Sequence, residues 1–498
     1  MSRDRGVPVV AVIGGGFSGA AFALHLVRRH QTGAQILVFE PRAQLGAGLA
    51  YSAEDPSHRI NVPAARMSLY PDDPESFQRF VDSHGVRHTD PSILTPGGQA
   101  YPQRSVFGAY VQAELAPYLE KGAISHRQSR VRSVSRSGDR WLVVDETGSQ
   151  TPADLVVIAT THPSPQLPSV LRAHATHPRL IADATVSEAL ANVGADESIL
   201  IVGNGLTSAD VIAMLSRQGH RGNIMAISRR GLRSRGHLAV AQEPFGDFLS
   251  HPAKRASELL RRIRQTLRSA ETQGLSWHSV IDAVRSQGSG IWQALPMEER
   301  RRVARLARPF WDVHRFRIAP QVEQVIEENL KEGRLEVAAA FLKSIDAKDQ
   351  GFDVVLASKG REQSPRHFDR IIVTTGPAHD GILASQPFLQ TLQAAGHLNN
   401  CPTGLGIACD ATSRAVDSTG KADPSLLIAG PLARGTFGEL MGLPQVTEHA
   451  VFVADEAAAE LRRLQATVPD CSLHPHPSSG PAAIANPTIQ LERQRVRS

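Results

Sequence analysis

The stretch VVAVIGGGFSG, residues 9–19, decides how the chain begins to fold. Its first five residues are a continuous apolar run, which is typical of a strand buried on both faces of a parallel sheet. A glycine-rich turn follows, and the small residues from Ala20 to His30 then predict a helix. Residues 36–39 predict the next strand, which ends at Glu40. This order predicts a β-α-β unit that binds a dinucleotide.

The turn matches the fingerprint Gly-x-Gly-x-x-Gly at Gly14, Gly16 and Gly19. The first glycine permits the tight turn, the second lets the backbone approach a pyrophosphate, and the third allows close packing of helix and strand. The helix N-terminus offers free N–H groups to the phosphates. Glu40 lies where a carboxylate binds the ribose hydroxyls. We predict FAD here rather than NAD, because this loop opens the chain and a second such loop follows it.

A second unit of the same plan starts nearly two hundred residues later. Residues 198–202 predict its first strand, residues 203–208 its turn, residues 209–218 its helix and residues 224–227 its next strand. Two copies of one plan in a single chain indicate an internal duplication, and this duplication sets the predicted architecture.

The second turn differs from the first in two ways that bear on its ligand. Ser208 stands in the place of the third glycine, and Arg229 and Arg230 follow the strand where the first unit has an acid. A carboxylate would repel a 2′-phosphate, whereas guanidinium groups bind it, so the pattern favours NADPH over NADH. The alternative is a degenerate loop without ligand and with surface arginines. The expected NADPH contacts are Gly203, Gly205, Leu206, Thr207, Ser208, Arg229 and Arg230.

The rest of the pattern predicts an α/β fold of two Rossmann-like, three-layer dinucleotide-binding domains, as in glutathione reductase, with a helical insertion in the second. Each unit has an exit strand, at residues 154–161 and 369–376, preceded by alternating strands at residues 131–144 and 335–355. Residues 426–431 predict a strand that returns to the first domain. The predicted FAD-binding domain is formed by residues 1–165 and 376–465. Residues 166–375 form the predicted NADPH-binding domain, with a helical insert at about 253–330, and residues 466–498 form a loosely ordered tail.

Composition excludes several other classes. The 498 residues carry a net charge of +5, but arginines between residues 255 and 308 lack interleaved aromatics, so we interpret them as solvated helices rather than a nucleic-acid surface. No run approaches the roughly 18 apolar residues of a membrane span, and no signal peptide is evident. Three cysteines are too few for a disulfide framework, which leaves a cytoplasmic location by default. We predict no metal site, and leave a homo-oligomer open.

With both loops placed, the chain resembles the two-dinucleotide flavoprotein superfamily, which includes glutathione reductase and the flavin-containing monooxygenases. Three stretches resemble a bacterial family described only as FAD/NAD(P)-binding proteins, which is similar to the N-hydroxylating and Baeyer–Villiger-like monooxygenases, and the resemblance covers roughly residues 8–460. The first stretch is Gly46 to Ser52, followed by Asn61 to Ser68 and Pro71 to Pro74; the others are Trp311 to Pro320 and Gly430 to Thr436.

This resemblance implies roles for particular residues. Asp154 to His162 matches a motif that links the two domains of such monooxygenases, although Thr161 replaces its glycine. The resemblance places Met67 and Asn61 at the flavin. His314 is expected either at the mouth of the active site or on an amphipathic helix end. The expected FAD contacts are Gly14, Gly16, Phe17, Ser18, Gly19, Glu40, Arg42, Met67, Val131, Ala159, Thr160, Gly430, Pro444 and Gln445.

The implied function is that of a single-component monooxygenase. NADPH would reduce the flavin, and dioxygen would then form a C4a-(hydro)peroxide that transfers oxygen to a nitrogen, a sulfur or a carbonyl carbon of a small substrate. No Cys-x-x-Cys pair of a disulfide reductase and no Gly-x-Ser-x-Gly elbow of a hydrolase is present. Two alternatives stay open: an oxidase or dehydrogenase of an amine or hydroxy acid, and a non-catalytic flavin-binding protein.

Overall fold

The computed structural model describes residues 7–186, 188–358, 360–376 and 381–466. The predicted tail, with Cys471, lies outside these residues apart from Ala466, as does the N-terminal hexapeptide. In the described residues, no helix is long and apolar enough to cross a membrane.

The elements alternate between strands and helices in the first part of each unit. The strands are β1 (Val9–Ile13), β2 (Gln35–Phe39), β3 (Ile124–Arg127), β4 (Val131–Ser137), β5 (Arg140–Asp145), β6 (Gln150–Ala153), β7 (Leu155–Ile158), β8 (Leu180–Ile181), β9 (Ile199–Val202), β10 (Ile224–Ser228), β11 (Leu335–Ala339), β12 (Phe341–Lys348), β13 (Gly351–Ser358), β14 (Arg361–Glu362), β15 (Arg366–Phe368), β16 (Arg370–Val373), β17 (Arg414–Val416) and β18 (Ala422–Ile428). The helices are α1 (Phe17–Arg29), α2 (Gly48–Tyr51), α3 (Ser76–Ser83), α4 (Val86–Thr89), α5 (Arg104–Glu120), α6 (Leu206–Arg217), α7 (Ala256–Thr272), α8 (Trp277–Ser286), α9 (Gly288–Ala294), α10 (Met297–Arg302), α11 (Arg308–Arg315), α12 (Pro320–Lys331), α13 (Pro387–Ala394), α14 (Arg434–Phe437) and α15 (Gln445–Ala466), with a π-helical turn at Val303–Ala307.

The first unit is built on a sheet of order β17-β18-β7-β1-β2-β3, in which β1 lies centrally and pairs in parallel with β2 and β7. Its strand β18 pairs in parallel with β7, as expected for a chain that returns to the first domain. Helix α1 packs against α15, and the alanines of α1 are almost fully buried. Small side chains allow this close packing, which places the first glycine loop at the carboxyl end of β1.

The second unit is a parallel sheet of order β11-β10-β9-β16-β8. Its hydrogen bonds repeat those of the first unit: Gly14 N–H donates to the Phe39 carbonyl and Gly203 N–H to the Ile227 carbonyl, both at 2.9 Å. Small antiparallel sheets, β4-β5-β6 in one unit and β12-β13 with β14 and β15 in the other, precede the exit strands. The duplication and the predicted α/β fold class are therefore confirmed.

Three details of the prediction change. Helix α1 starts at Phe17 and α6 at Leu206, three residues before the predicted starts, because the last residues of each turn form the first helical turn. Strand β11, within the predicted alternating segment, pairs in parallel with β10 in the main sheet. Helix α12 packs on α6 and leads into β11, so it is the crossover helix of this sheet although the predicted insert included it.

A buried ion pair ties the first unit together and carries a stability prediction. Arg59 donates to both carboxylate oxygens of Asp90 at 2.7 and 2.9 Å, and both side chains are less than a tenth exposed. Arg59→Ala leaves a buried carboxylate without its cation, so we expect the free energy of unfolding to fall by about 3–5 kcal/mol. Urea unfolding followed by circular dichroism measures this loss. The matched control is Arg221→Ala, because its partner Asp196 is exposed and unfolding should not change.

Candidate active site

The first glycine loop has the geometry of a pyrophosphate cradle. Gly14 has φ +100°, and a Cβ there would lie 2.8 Å from the Ala159 carbonyl oxygen. A Cβ on Gly19 would lie 1.9 Å from the Gly14 carbonyl oxygen, so both positions require glycine for packing. At Gly16 the nearest atom to a Cβ is 3.5 Å away. Glycine at residue 16 is thus not required by the protein's own packing, which leaves close approach of a ligand as the reason for it.

Glu40 is placed to bind a ribose at the rim of this loop. Its side chain is buried, with one carboxylate oxygen accepting the Gly15 N–H at 3.0 Å and the other accepting Arg42 N–H groups at 3.1 Å. A carboxylate has about four acceptor positions, so hydroxyl groups can still donate to it. These residues fit the adenosine end of FAD.

A cleft of about 700 Å³ extends from this loop along the carboxyl edge of the first sheet. Thr160 lines it, and its hydroxyl is buried without a hydrogen-bond partner in the part of the chain that the structure describes. An unpaired buried hydroxyl costs stability unless a ligand pairs with it, which supports a bound dinucleotide in this cleft. The predicted FAD residues that line the cleft are Gly14, Gly16, Phe17, Ser18, Glu40, Arg42, Val131, Ala159 and Thr160.

The second glycine loop repeats the geometry of the first, and two of its buried polar side chains have atoms without a hydrogen-bond partner among the described residues. Gly203 has φ +114°, and a Cβ there would lie 2.4 Å from the Thr374 carbonyl oxygen, whereas a Cβ on Gly205 would meet nothing within 4 Å. The Asn204 side-chain nitrogen and the Ser208 hydroxyl are buried without partners among the described residues. These orphaned groups and the open space beside Gly205 fit a second dinucleotide at the N-terminus of α6.

Arg229 and Arg230 lie directly after β10, beside the second loop. Strand β10 pairs in parallel with β9, which carries the loop, so both carboxyl ends reach the same edge. Both arginines are exposed, and the Arg230 guanidinium lies 5.1 Å from the centre of the Phe310 ring. No carboxylate ion pair holds either arginine within the described ranges, so both are open to a phosphate.

A smaller cavity of about 340 Å³ adjoins the cleft. Both spaces are lined by Tyr51, Arg104, Thr207 and Leu443, so the flavin cleft and the second loop open onto a common region. Asn61 and Met67 line the smaller cavity, which brings the two residues expected at the flavin together with Leu206 of the second loop. Of the expected NADPH contacts, Leu206 and Thr207 line these spaces, whereas Gly203, Gly205, Ser208, Arg229 and Arg230 line neither.

Several predicted site residues lie beside these spaces rather than on them. His314 lines neither cavity: its Nδ1 contacts the Phe310 carbonyl at 2.7 Å, and its ring meets the edge of Trp277. The helix-end interpretation of His314 therefore fits, and the prediction that it meets substrate is not supported. Its neighbours Arg315 and Arg317 line the smaller cavity instead.

The expected FAD contacts in the last part of the chain, Gly430, Pro444 and Gln445, also lie beside the cavities, whereas residues next to them in sequence line these cavities. Gly430 lies against Ser18, where a Cβ would come within 2.3 Å of the Ser18 hydroxyl, and its N–H donates to His449 Nδ1 at 3.1 Å. Gln445 begins α15 and accepts a hydrogen bond from Arg285 at 3.1 Å. Pro444 and Gln445 line neither cavity, whereas the adjacent Leu443 lines both.

The sequence pattern missed the polar side chains that the helical insertion supplies. The sequence predicts that Arg285 on α8 is one of a row of solvated arginines, yet it lines the smaller cavity and donates to the Leu443 carbonyl at 2.7 Å. His237 precedes the insertion helices, contacts the Asn61 carbonyl at 3.0 Å and packs on Tyr101. No local signal marks these residues, because only the packing of the insertion onto the first unit brings them to the site.

Two of the four histidines that line these cavities, His237 and His162, are neutral near pH 7. Burial lowers the pKa of His237 to about 4, and the Arg317 charge adds to the effect. Burial and the neighbouring Arg434 and Arg308 lower the pKa of His162, in the cleft, to about 4. Neither imidazole therefore adds positive charge to the site at physiological pH. Within the described residues, no group of three or more His, Cys, Asp or Glu side chains could hold a metal ion.

The depressed pKa of His237 predicts a pH-dependent stability. Unfolded histidine takes up a proton below pH 6.5, whereas folded His237 does so only near pH 4. Acid therefore favours the unfolded state, so the free energy of unfolding is fully retained above pH 6.5 and falls as the pH is lowered to 4. We expect His237→Gln, which retains an amide donor, to reduce the acid-induced loss of unfolding free energy by up to about 3 kcal/mol. Thermal unfolding at several pH values measures this. Identical pH slopes for both proteins would contradict a neutral, buried His237.

Two protein-family models match the chain. Residues 11–163 match a family described as FAD-NAD(P)-binding, and residues 96–276 match one described as L-lysine 6-monooxygenase/L-ornithine 5-monooxygenase. No curated protein sequence matches the chain significantly. The family matches confirm the resemblance to FAD/NAD(P)-binding flavoproteins and N-hydroxylating monooxygenases that the sequence motifs indicated.

Solved structures with the same fold include two ornithine hydroxylases and a cadaverine monooxygenase. The reduced ornithine hydroxylase of Pseudomonas aeruginosa is 17% identical, with a TM-score of 0.62, and the match covers 92% of this chain and 100% of that one. The ornithine N-hydroxylase of Kutzneria sp. 744, with reduced FAD, NADP+ and L-ornithine, is 16% identical, with a TM-score of 0.59 and coverage of 92% and 100%. The cadaverine monooxygenase of Erwinia amylovora, bound to FAD, is 15% identical, with a TM-score of 0.59 and coverage of 92% and 96%. These matches confirm the predicted two-dinucleotide fold.

Proposed function

We propose that the protein is a single-component, FAD-dependent and NADPH-consuming monooxygenase that hydroxylates the nitrogen of a small amine. The observation that carries this proposal is that the first glycine loop and the first residues of α6, which follow the second loop, line adjoining cavities. The family match to lysine and ornithine monooxygenases and the similar N-hydroxylating structures favour a nitrogen over a sulfur or a carbonyl carbon.

The overall reaction balances with dioxygen as the second substrate. One oxygen atom is inserted into an amine N–H bond to give N–OH, and the other leaves as water with a hydride (two electrons and one proton) from NADPH and one further proton from solvent. Bound FAD would supply the redox chemistry, accepting hydride from NADPH and passing the electrons to dioxygen.

The chain's own groups position the reactants. The α1 N-terminus and Glu40 would hold the pyrophosphate and ribose of FAD, and the α6 N-terminus with Arg229 and Arg230 would hold NADPH. Met67 is 3% exposed and lines the smaller cavity, where it would exclude water from the face of the flavin. The neutral His237 fixes the Asn61 backbone at the same cavity.

The test is NADPH oxidation by the purified protein with its flavin, in air, with hydrogen peroxide assayed in parallel. We expect flavin reduction by NADPH, much faster than by NADH, and peroxide release that falls when a suitable amine is oxidised. A flavin that is bleached by an amine or a hydroxy acid without NADPH would instead identify an oxidase or dehydrogenase. A bound flavin that no donor reduces would identify a non-catalytic protein.

A further inference from the structure

The smaller cavity carries an excess of positive charge. Its charged lining consists of five arginines and two aspartates among the described residues, and burial lowers the pKa of both lining histidines, His237 and His278. These are Arg66, Arg104, Arg285, Arg315, Arg317, Asp210 and Asp282. Such a cavity attracts anionic ligands and repels cationic ones, most strongly where water is excluded.

Both aspartates are already engaged. Asp282 accepts two parallel hydrogen bonds from Arg317 at 2.8 and 3.1 Å, and Asp210 accepts from Arg104 at 3.0 Å. Arg315 forms a buried ion pair with Glu439, which lies behind the lining. These pairs neutralise three of the arginines, and they leave neither aspartate with an uncompensated negative charge that would attract an ammonium group of a substrate.

Arg285 and Arg66 remain without an anionic partner among the described residues. Arg285 donates only to neutral acceptors, the Leu443 carbonyl and the Gln445 side chain, and its Nε is buried without a partner. Burial and the nearby Arg315 lower the pKa of Arg285 to about 10 against the weaker attraction of Glu439 and Asp282, so it remains charged at neutral pH. A partly buried cation that forms no direct ion pair is stabilised further by an anion that binds beside it. Arg66 is exposed on the lining of the same cavity.

We propose that the amine substrate is a net anionic amino acid with two carboxylates, which Arg285 and Arg66 bind. This inference rests on the proposed N-hydroxylating function and sets the chain apart from enzymes that act on diamines or on amino acids with a second ammonium group. Lysine, ornithine and cadaverine carry two ammonium groups each at neutral pH, and this lining would repel them. An acidic amino acid carries one ammonium group and two carboxylates, which matches the two unneutralised guanidinium groups.

The first test compares five probes with the protein in its flavin-bound form. We expect L-aspartate or L-glutamate to lower peroxide release per NADPH and to give a hydroxylamine product, whereas L-ornithine, L-lysine and cadaverine at the same concentration do not. Coupling by any of the last three, or by neither acidic amino acid, overturns the inference. The proposed function fails separately, when NADPH does not reduce the flavin in the absence of any amine.

The second test assigns the carboxylate contact to Arg285. We expect Arg285→Gln to raise the KM for the coupled acidic amino acid at least about 30-fold, because a charge-assisted hydrogen bond is lost, with partial recovery in Arg285→Lys. The matched control is Arg264→Gln, an exposed position on α7 away from both cavities, where no change is expected. A raised KM for NADPH with an unchanged KM for the amino acid would overturn the assignment. Arg66→Gln, at an exposed position, gives the same readout if Arg285→Gln does not fold.

Discussion

Replacing Arg229 and Arg230 together by glutamine is expected to raise the KM for NADPH by about 100-fold or more, while the KM for NADH changes less than about threefold. Both guanidinium groups are exposed beside the second glycine loop and form no ion pair within the described residues. Each charge-assisted hydrogen bond to the 2′-phosphate contributes about 1.5–3 kcal/mol, and NADH lacks that phosphate. The ratio of kcat/KM for NADPH to kcat/KM for NADH, measured for flavin reduction, therefore measures how much these two residues contribute to binding the 2′-phosphate.

The control for this double variant is Arg264→Gln together with Arg268→Gln, which removes the same net charge from exposed positions on α7. This pair separates local phosphate binding from a general loss of electrostatic attraction, because long-range steering depends on net charge and weakens at high salt. If both double variants change the NADPH kinetics equally, Arg229 and Arg230 do not form the phosphate site. If NADH is preferred already by the unaltered protein, the NADPH prediction itself is wrong.

The sequence predicted those parts of the molecule that depend on local order. Residues 9–19 combine an apolar strand, a glycine turn and a small-residue helix, and each of these follows from neighbouring residues alone. The same holds for the second loop, whose hydrogen bonds repeat those of the first. The helix starts were wrong by three residues at Phe17 and Leu206, because the turn and the first helical turn share residues.

The site itself could be predicted only in part, because it is assembled from distant segments. Asn61 and Met67 reach the smaller cavity from the first unit, whereas Arg285 and Arg317 reach it from the insertion. In sequence, Arg285 resembles any arginine of an amphipathic helix, and only tertiary packing turns it toward Leu443 and Gln445. For His314 the sequence left two positions open, the mouth of the site and a helix end, and helix α11 turns its ring toward Trp277.

The two glycines of the second loop serve different purposes, because Gly203 is required by the fold whereas Gly205 is required only for ligand binding, which Gly205→Ala should impair. A Cβ on Gly205 meets no protein atom within 4 Å, and its φ of −98° suits any residue. The new methyl group would occupy the space in which a pyrophosphate approaches the backbone. We therefore expect the KM for NADPH to rise by about 30-fold or more, with the flavin content unchanged and a stability loss below about 1 kcal/mol from the altered N-cap.

Gly203→Ala is the matched comparison, because the same methyl group there would lie 2.4 Å from the Thr374 carbonyl oxygen at a φ of +114°. The clash and the strained backbone at Gly203→Ala do not depend on a ligand, so the unfolding temperature and the yield of the variant should fall whether or not a nucleotide binds. A folded Gly205→Ala variant with unchanged NADPH kinetics would show that the second loop no longer binds a nucleotide. The electrons for the flavin would then have to come from the amine substrate, as in an oxidase.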